Sequence, residues 1–163
     1  MKKIAILIVS AALSACSTPQ SYNSFFNNSN PAVYKTYAGE SRNAAELGVV
    51  VTDSIIDVVS IDGRPLDKMQ RYGKKLGLLS GERVQFHMEP GSYVFELCFS
   101  IPGPHGSRCD GTLKFPVSVV SGQYQMLVWK NLPRNQWTAS VQDALASRSE
   151  IDADFRVAMA VKQ

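Results

Sequence analysis

Residues 83–89 alternate without interruption: Val84, Phe86 and Met88 fall on one side, and Gln85, His87 and Glu89 on the other. A period of two belongs to a strand with one face on a core. The pattern recurs over residues 93–100, where Tyr93, Phe95, Leu97 and Phe99 share a face, and over 112–120, where Leu113, Phe115, Val117 and Val119 do. Pro116 in the latter predicts an edge or a bulge, because proline gives no N–H to a ladder. Runs rich in β-branched and aromatic residues at 46–52, 55–61, 123–130 and 136–142 bring the expected strands to about seven. Asp53-Ser54, Asp62-Gly63, Pro90-Gly91, Ser121-Gly122 and the stretch from Asn131 to Asn135 supply the turns between them. Short strands at this spacing predict a mainly β chain, an antiparallel β-sandwich or small barrel. The tail is mixed: Ala144-Leu145-Ala146 and the acidic residues from Glu150 to Asp154 favour a helix, whereas Phe155, Val157, Met159 and Val161 alternate. A short C-terminal helix is expected.

Ahead of the first strand the pattern changes. From Ser17 to Thr36 the chain is dominated by Ser, Asn, Pro, Tyr and Phe without apolar period, the composition of a tether. Tyr22, Phe25 and Phe26 alternatively rest among lipid headgroups or dock on the body. Earlier still, Met1-Lys2-Lys3 is positive and residues 4–13 are uncharged and mostly apolar. That run is too short for a hydrocarbon core, which takes ~20 apolar residues, and predicts a signal peptide.

Leu13-Ser14-Ala15-Cys16 closes the run and resembles the lipobox of secreted bacterial lipoproteins. The resemblance implies that the Cys16 thiol receives a diacylglyceryl group, that the chain is cut after Ala15, and that the new amino terminus is acylated. Several acyl chains, each buried methylene contributing ~0.8 kcal/mol, would anchor the product stably without a membrane-spanning helix. By analogy with enterobacterial sorting, Ser17 in place of aspartate favours the outer membrane. The organisation expected is a signal peptide at 1–15, a lipidated cysteine and tether at 16–36, and a β-sandwich domain with its tail at 37–163.

Export changes the meaning of the other cysteines. With Cys16 committed to lipid, Cys98 and Cys109 remain, and two cysteines in an oxidising compartment predict a disulfide, the alternative being two free buried thiols. The bridge would staple the loop from Ile101 to Arg108, contributing roughly 3 kcal/mol in the chain-entropy model. Charge adds an exclusion. The whole chain carries +3, but without Lys2 and Lys3 this falls to +1, too little to point to a nucleic-acid partner. Tyr37-Ala38-Gly39, Ile61-Asp62-Gly63, Pro90-Gly91-Ser92-Tyr93 and Gly122-Gln123-Tyr124 are similar to landmarks of small bacterial envelope lipoproteins with a β-sandwich body. This second resemblance implies a fold and carries no activity with it.

No catalytic pattern in the chain is complete. Gly73-Lys74-Lys75 has Lys68 where a phosphate-binding loop needs its first glycine, and Lys75 where it needs a hydroxyl. Gly77-Leu78-Leu79-Ser80-Gly81 is out of register for a nucleophile elbow. His87 and His105 form no metal-type pair; His87 is expected on the surface of a half-buried strand, and Asp152 and Asp154 as solvated charge. His105, in a Pro/Gly-rich loop, is a candidate partner contact. Between Arg64 and Gly81, the cations Lys68, Arg71, Lys74 and Lys75 interleave with Met69, Tyr72 and several leucines. That stretch is either a contact for anionic headgroups, lipopolysaccharide or an acidic partner, or a solvated loop whose leucines cover one end of the sandwich. The expectation is a non-catalytic envelope binding or assembly accessory, without metal or cofactor beyond the lipid, whose partner is an envelope protein, lipopolysaccharide or peptidoglycan. A periplasmic small-molecule or metal carrier and a Ser/His hydrolase are the alternatives.

Overall fold

A computed structural model describes residues 31–43, 45–52, 55–73, 83–103, 106–133 and 136–161. Among these described residues, ten strands form two sheets. The larger has the order β10-β9-β2-β6-β1-β5, built from β1 (Pro31–Lys35), β2 (Gly48–Thr52), β5 (Gln70–Tyr72), β6 (Arg83–Met88), β9 (Tyr124–Leu132) and β10 (Gln136–Asp143). The smaller has the order β4-β3-β7-β8, from β3 (Ile56–Ile61), β4 (Arg64–Pro65), β7 (Gly91–Gly103) and β8 (Gly106–Val119). Helix α1 (Arg148–Ala160) ends the described chain. The mainly β sandwich with a short C-terminal helix is therefore observed. Its smaller sheet is antiparallel throughout, whereas the larger is mixed, because β1 runs parallel to β6 and β2 parallel to β9.

The alternating residues define the layers. Phe86, Met88, Val50 and Leu127 from the larger sheet meet Ile56, Val58, Phe95, Leu97, Val117 and Val119 from the smaller, all buried in one apolar cluster. Phe86 stands at its centre. It stacks on Tyr34 at 5.4 Å between ring centroids and receives Phe95 edge-on at 5.7 Å. A second cluster lies on the other face of the larger sheet, where Val49, Val51, Tyr124, Met126 and Val128 pack with Ala144 and Ile151. The helix thus adds a third layer outside the sandwich.

Three expectations change. Pro31–Lys35, placed in the tether, is a strand inside the larger sheet; Ala32 and Val33 are fully buried, so ordered packing begins ahead of Tyr37. The basic stretch is not a plain loop up to residue 73. It carries β4, a 3-10 turn and the edge strand β5, crossing from one sheet to the other with Met69 buried and Leu66 packed on the core. Residues 101 and 108, expected in a stapled loop, pair as part of a continuing β7–β8 ladder that runs out to Gly103 and Gly106.

Turn residues behave as their chemistry demands. Asp62 and Gly63 take positive φ, 50° and 74°, in the tight turn between β3 and β4. The Asp62 carboxylate also accepts the Val94 N–H at 2.7 Å, tying this turn to β7. Gly73, at φ 93°, ends β5 against β1, and a Cβ there would fall on the Pro31 carbonyl oxygen.

Candidate functional site

Two features stand apart from ordinary core packing: a polar seam under the helix and a disulfide in the long hairpin. The seam follows from the period of β6. Its even residues fill the sandwich, so Arg83, Gln85 and His87 point to the opposite face, where Pro31, Val33 and Lys35 of β1 lie beside them in register. Ile151, Asp154, Phe155 and Ala158 recur at helical spacing, and Ile151, Asp154 and Ala158 form the buried side of α1.

Arg83, Gln85, His87 and Asp154 each find a partner in the seam. The Gln85 amide donates to the Ile151 carbonyl at 2.8 Å, which leaves its oxygen to accept from His87 Nε2 at 3.1 Å. Neutral His87 therefore carries its proton on Nε2. Its ring stacks on Phe155 at 4.6 Å. Arg83 and Asp154 form an ion pair at 2.5 Å with side chains 17% and 7% exposed. Nearer the start of the helix, the Tyr124 hydroxyl donates to Asp152 at 2.7 Å, and Arg148 lies over the Tyr124 ring. Burial, and then the hydrogen bond to Asp152, hold the Tyr124 hydroxyl above its ordinary pKa.

His87 is thus buried, 4% exposed, and not on the surface, because the helix covers the face that alternation left polar. Asp154 is likewise buried and paired, where solvated charge was expected. Burial pushes the His87 pKa down to about 4 from 6.5, opposed by the nearby negative charge of Asp152. On acidification the unfolded chain takes up this proton first. Stability from the neutral ring is complete above pH 6.5 and is lost as pH falls towards 4, by up to about 3 kcal/mol for this one group. Urea midpoints measured from pH 7 to pH 4 should fall more steeply for the native chain than for His87→Phe; equal slopes would reject the assignment.

The hairpin is the second feature. Cys98 and Cys109 are bonded, with Cα atoms 5.6 Å apart, at a ladder irregularity between Cys98 and Ser100. Just inside the bridge, Phe99 stacks on Trp129 at 5.5 Å and meets Trp137 at 5.9 Å, joining the hairpin to β9 and β10. Thiol titration of native chain should show Cys98 and Cys109 reacting only after reduction. Replacing both with serine should cost roughly 3 kcal/mol in the chain-entropy model, read from the denaturation midpoint.

The remaining sequence candidates do not converge. Lys68 is on the 3-10 turn with its side chain 72% exposed, 3.9 Å from Asp67, and Arg71 is half-buried on β5. The disulfide belongs to a different sheet. Cys16, Lys74, Lys75 and His105 lie outside the described residues. Among the described residues no three His, Cys, Asp or Glu side chains gather as metal ligands, and no helix is long and apolar enough to cross a membrane. An open cleft of about 330 Å³ lies along β9 and β10, lined by Gln123, Gln125, Val141, Gln142, Asp143 and Leu145 among others. Its lining is a mixture of amide, carboxylate and apolar groups. Comparison with family models, with curated proteins and with solved structures finds no match for this chain.

Proposed function

We propose that the chain is a lipid-anchored bacterial envelope protein, held by acyl groups on Cys16 at the outer membrane, whose β-sandwich body is a non-catalytic binding or assembly accessory. The observation that carries this is Leu13-Ser14-Ala15-Cys16 directly after a positive start and a short apolar run. The Cys98–Cys109 bridge supports it, since structural disulfides persist in exported proteins. A lipid anchor confines the body to one surface and raises its effective concentration for neighbours there. Exposed Lys68 on the 3-10 turn, with Arg71, Lys74 and Lys75 close by in sequence, gives the body a means of meeting anionic headgroups or an acidic partner.

Changing Cys16 to serine tests the anchor. The native chain should sediment with membranes and resist salt extraction, whereas Cys16→Ser should be released into the soluble envelope fraction. Equal sedimentation of the two would remove the lipid from the account.

A further inference from the structure

We propose that β10 is a self-association strand, pairing antiparallel with β10 of a second copy of this chain so that the two larger sheets become one continuous sheet.

The sheet edges differ in how they are protected. A sheet edge exposes unpaired N–H and C=O groups, and proteins guard edges with short strands, proline, lysine or bulges. Of the four sheet edges among the described residues, three are guarded in that way. Strand β4 has two residues, one of them Pro65; β5 has three, including Arg71; and β8 carries Lys114 and Pro116. Strand β10 has none of these devices. It is eight residues long, pairs with β9 in unbroken register from Gln136 to Asp143, and has neither proline nor lysine. No other strand among the described residues is hydrogen-bonded to its outer side.

The sequence of β10 says what fits there. Gln136-Trp137-Thr138-Ala139-Ser140-Val141-Gln142 reads alike in both directions by chemical type. A two-fold axis perpendicular to the sheet at Ala139 sets Gln136 opposite Gln142 of the second copy, Trp137 opposite Val141, and Thr138 opposite Ser140. These are an amide pair, an aromatic–β-branched pair and a hydroxyl pair, the last two among the cross-strand combinations that stabilise sheets. The one charge, Asp143, falls outside the paired stretch, so no like charges meet. An isologous two-fold interface needs this self-complementarity, and an unrelated peptide does not. Val141, 39% exposed on the free edge, would gain cover from the Trp137 of the second copy. The inference does not depend on lipid at Cys16.

Cross-linking of the full chain in detergent micelles tests it. Differently tagged chains carrying Thr138→Cys and Ser140→Cys are mixed and mildly oxidised, since those positions should sit ~5 Å apart at Cβ across the interface. A mixed covalent dimer should exceed the dimer formed by either variant alone, and Val157→Cys, on the outer side of α1, should give none. Sedimentation of Thr138→Lys/Ser140→Lys, which sets lysines opposite one another, should show dimerisation weakened by about tenfold or more with the Cys98–Cys109 bridge intact. Absence of a mixed dimer, a monomeric native chain, or undiminished dimerisation of the lysine variant would each overturn the proposal.

Discussion

Truncating Phe86 to alanine should lower the unfolding free energy by about 3–5 kcal/mol, a large share of what a domain of this size has to lose. Phe86 is fully buried, it bridges Tyr34 and Phe95, and it shares one cluster with side chains from both sheets. Its removal leaves a cavity bordered by ladders that cannot collapse without breaking register. Urea denaturation followed by tryptophan fluorescence reads the change directly, because Trp129 and Trp137 pack against the same cluster. A loss below about 1 kcal/mol, the scale of an ordinary surface change, would show that the two sheets do not meet there.

The second large effect belongs to the helix. Asp154→Ala should cost about 3 kcal/mol, because it leaves the Arg83 guanidinium nearly buried without the carboxylate that now faces it. Replacing both members of the pair, Arg83→Met with Asp154→Leu, should recover most of that loss, since a matched apolar pair carries no desolvation penalty. The recovery separates an electrostatic role from simple packing. If the double variant were as unstable as the single one, the seam would owe its stability to something other than charge pairing.

Local patterns were legible where the structure is local. Alternation at residues 83–89 and the Asp62-Gly63 turn appear in the structure where the chain placed them, and Cys98 and Cys109 meet because one hairpin brings them together. What could not be read is what depends on distant partners. The parallel pairing of β1 with β6 has no turn to announce it, and Pro31–Lys35 follows polar residues that hide a five-residue strand. Gln85 and His87 look like solvent-facing residues because alternation shows that a strand has two faces without showing what covers the second. The signal that could have corrected this was in the tail: Ile151, Asp154, Phe155 and Ala158 at helical spacing form a face needing a partner, and the polar side of β6 needed a cover.

The proposed position in the envelope, lipid attachment and accessory role all begin at the Cys16 sulfur. The most direct test is the intact mass and amino-terminal fragmentation of the chain isolated from the cells that make it. The account predicts a first residue of Cys16, with residues 1–15 absent and the mass of a diacylglyceryl group and an amide-linked acyl chain on that residue. A first residue other than Cys16, or a Cys16 without acyl mass, would contradict it.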